Sequence, residues 1–196
     1  PSQKLLQESA RHLVLSEHAK RIRPLFVYFS GRIFKEENPA WASIAASAEL
    51  IHSASLLHDD VVDEAATRRH SSTANARWGN TVAVLTGDWL LTMALHQLKG
   101  MDGQLIQDAM DVVAMMTEAT IHETLSRGSL DISFDQWREM AEGKTGSLFE
   151  WCGKAAVYDC TDAATQKRLC SAVRQFAVAF QMVDDLKDVV RSASGK

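Results

Sequence analysis

Two short stretches of the sequence carry the same acidic pattern. They are Asp59-Asp60-x-x-Asp63 and Asp184-Asp185-x-x-Asp188. In an α-helix, residues at positions i and i+4 lie on one face about one turn apart, so the outer aspartates of each pattern can share a ligand. Mg²⁺ prefers such oxygen ligands, takes one or two carboxylates, and fills its remaining positions with water and phosphate oxygens. The two patterns therefore predict magnesium bound together with a diphosphate.

A solvated acidic helix face is the alternative explanation for either pattern alone. Both patterns, however, follow apolar stretches: Leu56 and Leu57 precede the first, and residues 176–180 precede the second. Two like charges about 4 Å apart repel by about 4 kcal/mol at an effective dielectric constant of about 20. Partly buried carboxylates at this spacing therefore need a counter-charge.

Basic residues that could bind an anion lie in three further places. They are Lys20 and Arg23 beside Pro24, the pair Arg68 and Arg69, and Lys144 with its neighbour Thr145. Pro24 suits the first position of a helix, where the backbone N–H groups favour anions. A solvated basic face is the alternative for each place. Together with the aspartates, these residues predict the two halves of an anion site.

The elements that must position these residues are predicted to be helices. The only prolines are Pro1, Pro24 and Pro39, so the strongest helix breaker is absent from most of the chain. Composition and apolar spacing predict helices over residues 42–57, 81–98, 105–125, 135–158 and 162–190. Short connections and the lack of alternating strands predict an all-α fold, a bundle of long, mostly antiparallel helices around a central active-site cavity.

Length and composition narrow the class of protein. The 196 residues, 46% hydrophobic and 23% charged, suit a single folded domain over residues 1–196. The net charge of -4 and the lack of a basic stripe argue against nucleic-acid binding. Reduced and mostly buried thiols are expected for Cys152, Cys160 and Cys170, which lack CxxC spacing. Since the chain has neither a long apolar stretch nor a leader pattern, a cytoplasmic protein is expected.

A longer pattern around the first aspartates carries a family resemblance. It comprises IHSASLLHDDVVDE at residues 51–64, RR at 68–69, WGN at 78–80 and VAVLTGD at 82–88. With the other motifs, it resembles the trans-isoprenyl diphosphate synthases, or polyprenyl synthetases, in the expected order from residue 20 to residue 188. The resemblance implies the isoprenoid synthase fold and the head-to-tail condensation of isopentenyl diphosphate with an allylic diphosphate.

The resemblance also implies a role for each motif residue. The catalytic residues would be Asp59, Asp60, Asp63, Lys144, Asp184 and Asp185. All six aspartates, Asp188 included, would hold magnesium, three ions per site, against the allylic diphosphate. Arg68, Lys144, Thr145 and Gln181 would bind that same diphosphate. Lys20, Arg23, His52 and Arg69 would bind the diphosphate of isopentenyl diphosphate, although His52 alone would more often be a packed helix histidine.

The chemistry follows from charge, since ionising the allylic C–O bond leaves negative charge that magnesium and fixed cations can stabilise. By resemblance, the released diphosphate then takes the proton lost after condensation. The growing tail is expected to run between helices past Ala54 and Ser55, where short-chain relatives often carry an aromatic residue. These small residues predict a product longer than farnesyl, and Ala54→Phe is expected to shorten it. Close helix packing is the alternative reason for their size.

The sequence departs from the family pattern at four places. The glycines usual before Lys20 are replaced by His18 and Ala19, and the glycine usual after the paired arginines is His70. The segment 126–129 is shorter than in relatives and lacks their usual glutamine. Relatives also continue beyond Lys196. The last departure predicts either a truncated form or a longer chain. The strongest alternative from another class is a non-catalytic partner subunit that regulates an active synthase. Such subunits commonly lose aspartates from one motif, and both motifs are intact here.

A terpene cyclase or a head-to-head condensing enzyme is a further alternative. These enzymes use one allylic substrate or two, and the apparent isopentenyl diphosphate site formed by Lys20, Arg23 and Arg69 argues against them. By resemblance the protein is expected to be a homodimer. Release of a greasy product is expected to bring it into transient contact with a membrane surface.

Overall fold

The structure, a computed structural model, describes residues 2–17, 19–35, 37–68, 71–129, 131–159 and 161–193, and of residues 188 and 191–193 only the backbone. The elements are α1 (Ser2–Val14), α2 (Ile22–Arg32), α3 (Ala40–Val62), β1 (Thr67–Arg68), β2 (Ser71–Ser72), α4 (Ala74–Trp78), α5 (Asn80–Gln97), α6 (Gly103–Ser126), α7 (Phe134–Ala141), a π turn (Glu142–Gly146), α8 (Ser147–Ala156) and α9 (Ala163–Ala193). Helices dominate, so the prediction of an all-α fold is confirmed.

The helix ends follow local chemistry. α3 begins directly after Pro39 and runs on through the first aspartate pattern, so it is longer at both ends than the predicted 42–57. The segment predicted as one helix over 135–158 is α7, the π turn and α8 in direct succession. Ser133 and Gln136 cap the start of α7 reciprocally: the side chain of each residue accepts a hydrogen bond from the backbone N–H of the other.

Two features between residues 62 and 80 differ from the simple connection that the sequence predicts. β1 and β2 form a small antiparallel hairpin in which Thr67 pairs with Ser72. The short helix α4 follows, with the Thr73 side chain accepting from the Ala76 N–H at its start. In α2, Pro24 is the third helical residue rather than the first.

Contacts within the chain group it into two compact units, Pro1–Tyr28 with Asn38–Met101 (unit 1) and Phe29–Glu37 with Asp102–Lys196 (unit 2). The expectation of one domain over residues 1–196 stays a prediction. Within unit 1, α3 packs along α5, and α1 and α4 pack against α5. The core residues that they share include Leu13, Ala54, Leu57, Ala83 and Leu90.

A glycine allows α5 to approach α3 beside the first aspartate pattern. A Cβ built on Gly87 would lie 2.2 Å from Nε2 of His58, the residue that precedes Asp59. The same Nε2 is 3.2 Å from the carbonyl oxygen of Val84. The imidazole ring therefore occupies the space that a side chain at residue 87 would need, and it bridges α3 to α5.

In unit 2, α8 packs against α9 and α6. The buried Phe149 ring meets Phe176 and Phe180 of α9 at centroid distances of 5.7 and 5.8 Å. Cys152 is a buried free thiol and Cys170 a half-buried one, whereas Cys160 lies outside the described residues. Over the part of the chain that the structure describes, no helix is both long enough and apolar enough to span a membrane.

Candidate active site

The first aspartate pattern lies in unit 1, where α3 ends. Asp59 is half-buried, Asp60 is 1% exposed and Asp63 is exposed. Asp63 is the C-cap of α3, and its N–H donates to the Asp59 carbonyl at 2.8 Å. The end of α3 thus carries three carboxylates within about a turn and a half, but the exposed fractions of these side chains differ strongly.

Asp60 and Arg68, both predicted to act on ligands, are paired with each other. The Arg68 Nε donates to the Asp60 Oδ1 at 2.7 Å, and the arginine side chain is 29% exposed. A carboxylate buried without a partner is costly, so this pair explains how Asp60 is accommodated inside unit 1. Arg68 reaches it because the hairpin that follows α3 folds back over the end of that helix.

Polar contacts fix this return of the chain. The Asn75 Nδ2 donates to the carbonyl oxygens of Asp60 at 3.2 Å and Ala65 at 3.1 Å, and the Thr73 hydroxyl donates to Ala65 at 2.6 Å. The His12 Nε2 of α1 also lies 2.7 Å from the carbonyl oxygen of Ser72 in β2. These residues hold the hairpin and hence Arg68. No pattern in the sequence indicates these residues, because their contacts join separate elements of the chain.

Residues predicted to lie around the first pattern have different surroundings. His52 and Ser55 are half-buried and share the helix face of Asp59, and the Ser55 hydroxyl donates to the His52 carbonyl at 2.9 Å. Ala54 instead belongs to the buried core of unit 1. Lys20 is exposed before α2, and Arg23 is half-buried in its first turn. Arg69 lies outside the described residues.

The second aspartate pattern lies on α9, in unit 2. Asp184 and Asp185 are half-buried. Lys187, one turn away, donates to the Asp184 Oδ1 at 3.1 Å. The Gln181 Nε2 donates to the Asp185 Oδ1 at 2.7 Å, and the Trp137 Nε1 of α7 donates to the Asp185 Oδ2 at 2.9 Å. The backbone of Asp188 continues α9, and its side chain lies outside the described residues.

Lys144 and Thr145 lie in the π turn. The Thr145 hydroxyl donates to the Gln181 Oε1 at 2.7 Å, so it begins a chain of hydrogen bonds that ends on Asp185. Lys144 forms an ion pair with Glu123 of α6. A π turn inserts one extra residue into a helix and is frequent at functional sites. The structure thus links Thr145, Gln181 and Asp185, all three of them predicted site residues.

The donor set of both patterns suits a hard cation. Every candidate ligand is a carboxylate, which matches the oxygen preference of Mg²⁺. Among the described residues, no three His, Cys, Asp or Glu side chains converge as a ready metal cage. Magnesium bound by one or two carboxylates and a phosphate does not need such a cage. The residues present therefore fit magnesium that arrives with a diphosphate.

Comparison with known proteins agrees with this chemistry. The chain matches the polyprenyl synthetase family over residues 3–196. It is 34% identical over 180 residues to octaprenyl diphosphate synthase of Escherichia coli, covering 90% of this chain and 55% of that protein. It is 33% identical over 187 residues to nonaprenyl diphosphate synthase of Mycobacterium tuberculosis, covering 94% and 56%.

A solved structure is similar too. It is a polyprenyl synthase from Caulobacter crescentus complexed with calcium and isoprenyl diphosphate, with a TM-score of 0.85 and 27% identity over 94% of this chain and 60% of that one. The chain spans about half the length of the curated relatives that it matches. Because the family match extends over nearly the whole sequence, the chain belongs to the polyprenyl synthetase family.

Proposed function

We propose that this protein is a polyprenyl diphosphate synthase, a magnesium-dependent trans-prenyltransferase. It condenses isopentenyl diphosphate with an allylic diphosphate head to tail. The observation that carries the proposal is the presence of both aspartate patterns, one on α3 and one on α9, in a chain of this family. The complex of a similar polyprenyl synthase with calcium and isoprenyl diphosphate supports the use of a divalent cation.

The proposed roles divide the site by charge. Magnesium, three ions per site, would be held by the six aspartates and would neutralise negative charge on the departing diphosphate. Arg68, Lys144, Thr145 and Gln181 bind the allylic diphosphate. Lys20, Arg23, His52 and Arg69 hold the diphosphate of isopentenyl diphosphate and so place its double bond near the allylic carbon. The proton lost after condensation passes to the released diphosphate.

The product is proposed to be longer than farnesyl diphosphate. Two relatives at 34% and 33% identity are an octaprenyl and a nonaprenyl diphosphate synthase. The small side chains at Ala54 and Ser55, five and four residues before Asp59, were the sequence basis for this proposal, and of the two Ser55 is the half-buried one that shares the helix face of Asp59.

We also propose that the protein is a homodimer and touches a membrane transiently when it releases its product. Exposed apolar side chains on α6 support a contact between subunits: Met110 is 42%, Ile121 56% and Leu125 81% exposed. Sedimentation velocity tests the dimer, which a monomer at micromolar concentration would contradict. The cytoplasmic location stays a prediction.

The activity is tested by incubating the protein with labelled isopentenyl diphosphate, Mg²⁺ and geranyl or farnesyl diphosphate, and separating the dephosphorylated products by chromatography. Asp59→Ala and Asp184→Ala should each lower turnover at least about a hundredfold, since each removes a ligand on which charge stabilisation depends. The matched control is Asp111→Ala, an exposed aspartate of α6 whose side chain contacts Gln107. No elongation by the unaltered protein with any primer would overturn the proposal and favour the non-catalytic subunit.

A further inference from the structure

Asp185 is held by two neutral hydrogen-bond donors, one on each carboxylate oxygen. The Gln181 amide reaches Oδ1 from one turn earlier on α9, and the Trp137 indole reaches Oδ2 from α7. Gln181 was predicted from the sequence, but Trp137 was not. The two bonds come from different helices, so together they fix the rotation of the carboxylate about its terminal bond.

The chemistry of the donors leaves Asp185 able to bind a cation. Each carboxylate oxygen has two lone-pair positions, and each donor takes one of them. Neither donor carries a positive charge that would compete with a bound cation. Asp60 offers a contrast, because its partner is the guanidinium of Arg68.

Trp137 is itself held in place. Its ring stacks on Phe134 with centroids 5.5 Å apart, and α7 begins with the reciprocal cap of Ser133 and Gln136. The indole nitrogen can only donate, so it cannot exchange roles as a hydroxyl can. A half-buried ring with a single fixed donor is suited to orienting a neighbour.

We infer that Trp137 is a positioning residue, which orients Asp185 for divalent-cation binding through its indole N–H. The inference rests on the proposed function, since it assumes that the second aspartate pattern binds a metal. Outer hydrogen bonds to metal-binding side chains typically contribute tenfold to a hundredfold in metal affinity or activity. A merely structural tie between α7 and α9 would change the free energy of unfolding without changing metal affinity through Asp185.

Mn²⁺ binding is measured by electron paramagnetic resonance, which reports the concentration of free Mn²⁺. Inorganic diphosphate is present in every sample, and the measurement needs no turnover. Trp137→Phe should weaken Mn²⁺ binding about tenfold or more. Benzothienylalanine substitutes sulfur for the N–H of Trp137 but keeps the ring volume. Placed at residue 137, it should weaken Mn²⁺ binding to a similar extent without a large change in melting temperature. Trp89→Phe, a half-buried tryptophan of α5 in unit 1, is the matched control and should bind Mn²⁺ as the unaltered protein does.

A double-mutant cycle asks whether Trp137 acts through Asp185. Asp185→Ala should weaken Mn²⁺ binding, and adding Trp137→Phe to it should change the affinity by less than about twofold, because the residue being positioned is gone. Unchanged affinity in the benzothienylalanine protein, or an equal loss with and without Asp185, would overturn the inference. Failure of the unaltered protein to bind Mn²⁺ with diphosphate would instead overturn the proposed function and the inference with it.

Discussion

At the scale of single residues, Asp60 shows how a buried metal-ligand candidate is stabilised within unit 1. Its side chain is 2% exposed and its Oδ1 accepts from the Arg68 guanidinium. Arg68→Gln removes the guanidinium from that buried carboxylate and should destabilise the protein by about 2 kcal/mol, less than for a fully buried pair because Arg68 is partly exposed. Urea denaturation measures this change.

The same experiment has an internal control. Asp60→Asn combined with Arg68→Gln removes both charges, so the double variant should be more stable than Arg68→Gln alone. Arg138→Gln, which removes surface ion pairs with Asp135 and Glu142, should change stability by less than about 1 kcal/mol. If Arg68→Gln changes stability as little as Arg138→Gln, the ion pair with Asp60 is not what holds the buried carboxylate.

A second residue-scale prediction concerns Cys170. Burial and the nearby Glu150 carboxylate raise the pKa of this thiol. Alkylation requires the thiolate, so the folded protein should be modified at Cys170 more slowly than the urea-unfolded protein, and the rate should rise only at higher pH. Iodoacetamide labelling followed by peptide mass spectrometry measures the rates. Equal rates in the folded and unfolded protein would show that the thiol is not protected.

At the scale of elements, helices could be predicted well where apolar spacing persists over several turns. α5 and α6 lie within two residues of the predicted 81–98 and 105–125. The hairpin of β1 and β2 could not be found, because two-residue strands show no alternation. The π turn leaves no mark in periodicity, and the bond from Trp137 to Asp185 joins residues far apart in the chain.

The π turn also gives a prediction at this scale. A Cβ on Gly143 would lie 2.8 Å from the Ala119 Cβ, which is fixed to the backbone of α6 and cannot move aside. Gly143→Ala should therefore destabilise the protein by about 1–3 kcal/mol through overpacking, as thermal denaturation would show. Adding Ala119→Gly should recover part of the loss. Gly103→Ala, where a Cβ meets nothing within 4 Å, should not destabilise.

At the scale of the whole molecule, the sequence indicated the anion-binding chemistry through local groups rather than total charge. The net charge is -4, yet the proposed substrates are anions. Recognition of these proposed substrates would therefore depend on clustered cations and on magnesium, which the basic residues and the identical spacing of the two aspartate patterns suggested. The bond from Arg68 to Asp60 and the bond from Trp137 to Asp185 could not be inferred, because each joins residues on different elements that only folding brings together.

Product length is the property that depends most on how the molecule accommodates a long tail. The sequence suggested Ala54→Phe as its test, but Ala54 has no exposed surface and packs in the core with Leu57 and Leu90. A phenylalanine there should overpack the core and cost about 1–3 kcal/mol, which would obscure any change in product. Ser55 is half-buried and lies on the same helix face as Asp59, so it is the better position.

Ser55→Phe should shorten the product, because the larger ring would stop the tail near the first aspartate pattern. Ser55→Ala is the matched control: it removes the hydroxyl that donates to the His52 carbonyl but adds no bulk, so it should leave product length unchanged. Reversed-phase chromatography of the dephosphorylated products distinguishes the two outcomes. A Ser55→Phe protein that folds and turns over, yet makes the same product as the unaltered protein, would show that the tail does not pass residue 55.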